Sequence, residues 1–205
     1  YEPAMAPPHP TPLFAPQSSL LVTGPQSAPE QQTPQARARL AHMAQQPFKG
    51  RVTPLDIHTT GTLADLAQAR ADLAIIALPE DEIVPALELA GRTKANAALG
   101  LSAGIGAAKA QEMHRVAQRH GMWLLGPNSQ GLQRPDLQLN ASSAGALAAT
   151  GQLALVSQSG ALTASILAWA RQHHVGFSTV VALGAHTPVG LADVLDFLAN
   201  DRRTQ

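Results

Sequence analysis

The amino-acid sequence predicts an α/β protein built around a doubly wound parallel sheet. Apolar runs of strand length alternate with segments of helical periodicity along the chain. The clearest strand, Leu73–Leu78, is continuously apolar, as expected for a parallel strand buried on both faces, and Pro79 stops it. Several predicted strands run into short turns rich in Gly, Pro, Ser and Asn, where sheets of this kind carry their ligands.

The first two thirds of the chain contain five predicted strands and four predicted helices. The strands are expected at Ser19–Thr23, Arg51–Thr53, Leu73–Leu78, Asn96–Ser102 and Trp123–Leu125. The helices are expected at Gln35–Gln46, Leu63–Ala69, Glu80–Ala90 and Ala107–His120. The helix at Glu80 begins with carboxylates in its first turn, which the helix dipole favours.

A second unit begins near Gly151 and repeats the same alternation. It is predicted to contain a buried strand at Leu153–Val156, a helix at Ala161–Ala170, a strand at Ser178–Leu183 and a helix at Leu191–Ala199. Two βα units cannot cover both faces of a sheet, so this domain is expected to be incomplete. The expected domains are therefore a linker or tail at 1–12, a first domain at 13–140, a linker at 141–150 and the N-terminal part of a second domain at 151–205.

The composition limits the classes of function. The chain has 14 Lys and Arg against 14 Asp and Glu, so its charge favours neither nucleic acid nor a membrane surface as a partner. No apolar stretch is long enough to span a membrane. The absence of cysteine excludes disulfides, cysteine nucleophiles and thiolate metal sites; it fits a cytoplasmic protein, and no metal is expected.

Four sequence-distant turns are predicted to meet at one edge of the first sheet. They begin at Gly24, Pro79, Ser102 and Gly126, each directly after a predicted strand. Because the carboxyl ends of parallel strands lie at the same edge, these turns are expected to form one ligand site.

The segment Ser157-Gln158-Ser159-Gly160-Ala161 is the most informative turn of the second unit. It connects a predicted strand to the start of a predicted helix. Free backbone N–H groups, two hydroxyls and the positive end of the helix dipole would together bind a phosphate. The alternative is that Ser159 only caps the helix, and the sequence by itself leaves the two interpretations about equal.

An ordered set of motifs resembles the NDP-forming acyl-CoA synthetases, a superfamily that includes the α subunit of succinyl-CoA synthetase and the ADP-forming acetyl-CoA synthetases. The resemblance covers residues 13 to 204. The most specific motifs are Gly126-Pro127-Asn128-x-x-Gly131 and Ser157-Gln158-Ser159-Gly160-Ala161-Leu162. The others are Leu13-Phe14-x-Pro-x-Ser-x-Leu-Leu-Val-Thr-Gly, Ser102-Ala103-Gly104, Leu139-Asn140-Ala141 and Gly176-Phe177-Ser178.

The resemblance implies a Rossmann-like CoA-binding domain followed by the start of a flavodoxin-like ligase domain. CoA or an acyl-CoA would then bind at Gly24, Pro25, Gln26, Ser27, Thr53, Pro54, Ala77, Leu78, Pro79, Ser102, Ala103, Gly104 and Asn128, with Thr53 and Pro54 following the second strand. The phosphate of a phosphohistidine intermediate would bind at Ser157, Gln158, Ser159, Gly160 and Ala161. The family's chemistry joins a carboxylic acid to CoA through an acyl phosphate at the expense of a nucleoside triphosphate.

The chain also departs from the family pattern. Gln31, Gln32 and Thr33 stand where a second Gly usually opens the first helix, and Gly184 is followed by Ala185 rather than the usual Asn. No histidine matches the family's catalytic one, so no catalytic residue is assigned in this chain. His173 and His174 are interpreted as helix-end residues and His186 as a solvated loop residue.

Two functions from different classes remain open. One is the CoA-binding portion of a synthetase, inactive alone, whose partners would be the remaining ligase and ATP-grasp domains. The other is a non-catalytic acyl-CoA sensor joined to a protein lysine acetyltransferase domain, which the departures favour. A homo-oligomer is compatible with either.

Overall fold

A computed structural model of the protein describes residues 9–23, 48–57 and 70–205. Its first sheet has five strands in the order β2-β1-β3-β4-β5. They are β1 (Ser18–Thr23), β2 (Arg51–Asp56), β3 (Leu73–Ile76), β4 (Ala97–Gly100) and β5 (Trp123–Leu125). All four neighbouring pairs are parallel, which confirms the predicted parallel sheet. The strand order reverses between β1 and β3, and open α/β sheets generally bind their ligands outside the carboxyl ends of the strands at such a point.

Among the described residues, three helices accompany this sheet: α1 (Thr11–Phe14), α2 (Glu80–Arg92) and α3 (Ala107–His120). Helix α2 carries three carboxylates in its first turn, as predicted. Helix α3 has its predicted bounds because Gly121 adopts a left-handed conformation with φ 64° that ends the helix. The helices expected at Gln35–Gln46 and Leu63–Ala69 lie outside the described residues.

The second sheet has four strands in the order β7-β6-β9-β8. They are β6 (Gly131–Arg134), β7 (Leu139–Ser142), β8 (Thr150–Ser157) and β9 (Phe177–Ala182). Helices α4 (Gly160–Gln172) and α5 (Leu191–Asn200) follow β8 and β9. β6 runs antiparallel to both β7 and β9, whereas β8 and β9 are parallel.

β6 and β7 do not follow the expected domain boundaries, which ended the first domain at residue 140 and placed a linker at 141–150. Both strands precede or overlap that division, yet they pair with the second sheet and are fully buried. A sequence pattern does not show which sheet an antiparallel hairpin will join, because its partner β9 is distant along the chain.

The strand predicted as buried at Leu153–Val156 is instead the exposed edge of the second sheet. Within residues 9–23, 48–57 and 70–205, β8 has a neighbouring strand only on the β9 side, and Leu153 is 50% exposed. The neighbouring helix α4 buries Thr163, Leu167 and Ala170, while Leu162 and Trp169 remain about half exposed. Leu162 and Trp169 therefore lie outside the core, whereas Leu167 and Ala170 belong to it.

One hydrophobic cluster joins the two sheets. It includes Leu99 and Leu125 from the first sheet and Leu132 and Val181 from the second. Leu13 and Phe14 are fully buried in the same cluster, and the Phe14 ring packs on Phe197 with centroids 4.8 Å apart.

The N-terminal region expected as a linker or tail at 1–12 already contains the start of helix α1, at Thr11. Burial of the two apolar side chains that follow explains why this short segment is ordered into a helix.

Candidate functional site

The edge formed by the carboxyl ends of the first sheet brings two predicted CoA-binding turns together. The Ser102 hydroxyl donates a hydrogen bond of 2.5 Å to the Leu78 carbonyl oxygen, and both residues are buried. This bond ties the turn after β3 to the turn after β4. Ala103 and Gly104 are exposed beside it, and the space around Gly104 is open, so a ligand can approach their backbone.

Two other predicted CoA-binding residues do not reach this edge. Thr53 and Pro54 lie within β2, paired with Leu20 and Leu21 of β1, rather than after the strand as expected. Asp56 ends β2 three residues beyond Thr53, a separation of about 10 Å along a strand. Of the first loop, Gly24, Pro25, Gln26 and Ser27 lie outside the described residues.

Asn128 is fixed by the loop that precedes helix α3. Its side-chain amide accepts a hydrogen bond from the Ile105 backbone N–H and donates one to the Ile105 carbonyl oxygen, both at 2.9 Å. Its own backbone N–H donates to the Ser102 carbonyl oxygen at 2.9 Å. Asn128 therefore positions the turn that contains Ser102, and its amide is already used there.

The segment Gly126–Gly131 follows β5 and is called here the central loop. The Gly126–Pro127 peptide bond is cis, and Gly126 has φ 99°. A side chain on Gly126 would overlap the Gly100 carbonyl oxygen, so glycine is required for the close approach of the central loop to β4.

β9 of the second sheet and the loop that follows it contact the central loop directly. The Gly126 N–H donates to the Thr187 hydroxyl at 3.0 Å, and the Ser129 hydroxyl donates to the Ala182 carbonyl oxygen at 2.6 Å. His114 of helix α3 also donates from Nε2 to the His186 carbonyl oxygen at 2.8 Å. Sequence reasoning did not find Thr187 or His114, because neither stands in a motif.

The segment predicted to bind phosphate forms the start of helix α4. Ser159 is the N-cap, and its hydroxyl oxygen accepts a hydrogen bond from the Leu162 N–H at 3.3 Å. The Ser157 hydroxyl oxygen accepts from the Ser159 N–H at 3.0 Å. Ser159 therefore caps the helix.

Capping does not use every donor at this terminus. The N–H groups of Gly160 and Ala161 have no partner inside the helix, as is general for the first helical residues. The described part of the chain supplies them with no other backbone partner. Two N–H groups at an exposed helix start are compatible with an anion as well as with water.

Gln130 of the central loop lies against this helix start. A methyl group on Gly160 would overlap the amide group of Gln130, which shows that the two residues are in direct contact. Gln130 occupies the second unspecified position of the Gly126-Pro127-Asn128-x-x-Gly131 motif, and the sequence analysis gave it no role. The contact places the end of the central loop at the residue where helix α4 begins.

The ionisable groups with shifted pKa values lie away from these turns. Burial acts to raise the pKa of Glu88, but the hydrogen bond from His120 and the charge of Arg119 outweigh it, and the pKa is lowered from 4.5. Burial lowers the pKa of Arg134, whose guanidinium lies 3.2 Å from an Asp201 carboxylate oxygen and 5.2 Å above the Phe197 ring. The Glu88 cluster connects helices α2 and α3, and the Arg134 cluster connects β6 to helix α5.

His173 of the second unit occupies a structural position. His173 Nδ1 donates to the Trp169 carbonyl oxygen at 2.8 Å at the end of helix α4, which confirms the helix-end interpretation for this residue. Within the described ranges, no cluster of His, Asp or Glu could hold a metal ion. None of the helices described there is long and apolar enough to cross a membrane.

Comparison with known proteins agrees with this arrangement. Residues 150–205 match the family model described as the succinyl-CoA ligase like flavodoxin domain. The ADP-forming acetate–CoA ligase I of Archaeoglobus fulgidus is 37% identical over 139 residues, which are 65% of this chain and 20% of that protein. The α subunit of the ADP-forming acetate–CoA ligase I of Pyrococcus furiosus is 31% identical over 140 residues, 65% of this chain and 30% of that protein. The chain thus spans less than a third of either relative.

A solved structure shares the fold over nearly the whole chain. The dinucleotide-forming acetyl-coenzyme A synthetase 1 of Ca. Korarchaeum cryptofilum, in complex with phosphate and ADP, superimposes with a TM-score of 0.79 at 23% identity. The superposition covers 95% of this chain and 43% of that one. The family match, the two ligases and the shared fold confirm the resemblance seen in the motifs, and the chain belongs to the NDP-forming acyl-CoA synthetase superfamily.

Proposed function

We propose that this chain is the CoA-binding portion of an NDP-forming acyl-CoA synthetase. In the full reaction a carboxylic acid, CoA and a nucleoside triphosphate give an acyl-CoA, a nucleoside diphosphate and phosphate, through an acyl phosphate and a phosphohistidine. The observation that carries the proposal is the central loop, which contacts both the turn at Ser102 and the helix start at Gly160. CoA at the first and a phosphoryl group at the second would then be neighbours.

The carboxyl edge of the first sheet has the shape that a CoA thiol arm needs. Ala103, Gly104 and Gly106 are small and exposed, so their backbone can be approached closely. Hydrogen bonds made by Asn128 and Ser102 fix this backbone in place. We assign Asn128 a positioning role rather than contact with the thiol, because its amide is paired with Ile105.

Negative charge at the carboxyl edge of the first sheet limits the affinity for CoA. Glu80, Asp81 and Glu82 occupy the first turn of helix α2, directly after Pro79, and would repel the phosphates of CoA. The first loop also lacks the second glycine that eases approach to a diphosphate. We therefore expect a dissociation constant between millimolar and tens of micromolar, or about 4–6 kcal/mol.

The phosphoryl step is assigned to the start of helix α4. The free N–H groups of Gly160 and Ala161 would donate to phosphate oxygens, and the helix dipole favours the charge. The Korarchaeum enzyme contains phosphate and ADP, which supports phosphoryl chemistry in a protein of this fold. The phosphorylated histidine and the nucleotide-binding domain are expected from other ligase domains, since no histidine here matches the family position.

An acyl-CoA sensor joined to a protein lysine acetyltransferase domain is the second candidate. It is favoured by the departures from the family pattern, the missing second glycine of the first loop and Ala185 in place of the usual Asn, since a sensor needs no transfer chemistry. The two candidates predict different companions: an ATP-grasp domain for the ligase and an acetyltransferase domain for the sensor. A cytoplasmic location stays a prediction under both.

Calorimetric titration with CoA tests the binding proposal. Ala103→Trp is the informative variant, because Ala103 is exposed at the edge and its replacement does not disturb the buried Ser102. Ser165→Trp, on the exposed side of helix α4, is the matched control. We expect Ala103→Trp to abolish CoA binding and the control to retain it. Equal binding by both variants would place the ligand elsewhere.

The second test concerns activity. The chain alone, incubated with ATP, Mg²⁺, CoA and short carboxylic acids, is expected to form no thioester, because none of its histidines matches the family position that carries the phosphoryl group. Thioester formation above a protein-free blank would contradict the assignment of that step to other domains.

A further inference from the structure

We propose that the central loop couples the CoA edge of the first sheet to the start of helix α4, and that Gln130 is the positioning residue through which the coupling passes. The inference rests on the proposed function, since the edge at Ser102 is taken to bind CoA. It goes beyond that function by assigning a role to Gln130 and a reason for glycine at position 160.

The first half of the central loop is bound to the first sheet. Asn128 forms three hydrogen bonds there, two with Ile105 and one with Ser102, each at 2.9 Å. A ligand seated on the exposed Ala103 and Gly104 would lie on the same turn. Any shift of that turn must therefore move or break the bonds that fix Asn128.

The second half of the central loop is bound to the second sheet. The Gln130 carbonyl oxygen accepts from the Ser143 N–H at 2.9 Å, and the Ser129 hydroxyl donates to the Ala182 carbonyl oxygen. The Gln130 side chain rests on Gly160, where no larger residue fits without displacing its amide. A movement of Gln130 is thus transmitted to the first residue of helix α4.

The chain between these two anchors is short and constrained. Only Ser129 separates Asn128 from Gln130, and extended backbone spans at most about 7 Å over those two residue steps. Gly126, Asn128 and Gly131 all have positive φ values, of 99°, 61° and 91°. Because the stretch from Asn128 to Gln130 is so short, it cannot absorb a large displacement at one end by straightening.

Substitution of Gly160 tests the coupling from helix α4, the end of the central loop that lies away from the proposed CoA edge. Gly160→Ala places a methyl group on the Gln130 amide, a flexible side-chain end that can turn away. Gly190→Ala is the matched control, because Gly190 also stands at a helix start of the second unit but its added methyl would lie 3.8 Å from Asp193. Two measurements apply: the CoA dissociation constant by calorimetry, and the amide NMR signal of Ile105 without ligand.

We expect Gly160→Ala to weaken CoA binding about fivefold, at the low end of measured couplings between sites, and to shift the Ile105 amide signal. Gly190→Ala should change neither. Gln130→Ala should weaken CoA binding similarly, and Gly160→Ala should add nothing to it, because the overlapping group is gone. Equal melting temperatures of these variants separate positioning from a loss of stability.

The outcomes distinguish the coupling from the proposed function. If no variant and not even the unaltered chain binds CoA, but Gly160→Ala shifts the Ile105 signal, the loop coupling stands and the CoA assignment fails. If CoA binds and Gly160→Ala changes neither the affinity nor the Ile105 signal, the coupling is overturned. Additive effects of Gln130→Ala and Gly160→Ala would also overturn it, since the two residues would then act separately.

Discussion

Replacement of Asn128 tests whether its amide pairing with Ile105 holds the predicted CoA turn in place. Asn128→Gly keeps the left-handed backbone of φ 61° and removes only the two side-chain hydrogen bonds to Ile105. Such bonds contribute about 0.5–1.5 kcal/mol each, so this variant should lose about 1–3 kcal/mol of unfolding free energy.

Asn128→Ala removes the same bonds and adds backbone strain. A left-handed alanine costs about 1–2 kcal/mol, of which up to about 1 kcal/mol is recovered from the lower entropy of the unfolded chain. We therefore expect the Ala variant to be about 1 kcal/mol less stable than the Gly variant. The difference in unfolding free energy between the Ala and Gly variants therefore measures the backbone strain separately from the lost hydrogen bonds.

Thermal unfolding followed by circular dichroism measures both effects. A chain of this size shifts its melting temperature by about 2–4 °C per kcal/mol, so the Gly variant should melt about 5 °C lower than the unaltered chain. Amide hydrogen exchange of Ile105 should accelerate in both variants, because its N–H loses its acceptor. A Gly variant with unchanged melting temperature and unchanged exchange at Ile105 would refute the positioning role of Asn128.

Ser159→Ala should lose about 1 kcal/mol of stability by removing the helix cap, whereas Ser159→Asp should keep the cap and its stability. Stabilisation of the unaltered chain by sulfate, measured as a rise in melting temperature, should be absent in Ser159→Asp; if it persists, the helix start is not the anion site. Glu88 has a lowered pKa, so its ionised form stabilises the fold above pH 4.5, and this stabilisation is lost as the pH falls through the folded-state pKa. Glu88→Gln should therefore be less stable than the unaltered chain at neutral pH, with the difference shrinking in acid; a pH-independent difference would contradict this sign. Glu80→Gln combined with Asp81→Asn should tighten CoA binding, and the gain in affinity should diminish at high salt because both side chains are exposed. Calorimetric titration with CoA at two salt concentrations measures this gain, and an equal affinity of the double variant and the unaltered chain at low salt would contradict the prediction.

Local sequence patterns determined much of the first sheet. Leu73–Ile76 forms a buried parallel strand because its residues are apolar without alternation, and Pro79 stops the apolar run. Helix α3 ends at His120 because Gly121 supplies the left-handed cap. These are local effects of side-chain hydrophobicity and backbone geometry, which a sequence records directly.

Local patterns also identified the turns of the candidate site but misplaced part of it. Ser102 and Asn128 do meet, because parallel strands deliver their ends to one edge. Thr53 and Pro54 were expected after β2, yet the strand continues to Asp56. The extra length comes from pairing with β1, and Pro54 is tolerated because β2 is an edge strand.

Only the tertiary structure decided which elements share a sheet and which side chains are buried. β6 joins the second sheet through pairs such as Leu132 with Val181, and β8 is an edge strand although Leu153 is apolar. The contact between Gln130 and Gly160 likewise arises where two distant segments approach. Composition and periodicity describe neighbours along the chain, whereas pairing, burial and close approach depend on residues that meet only when the two sheets pack on their common core.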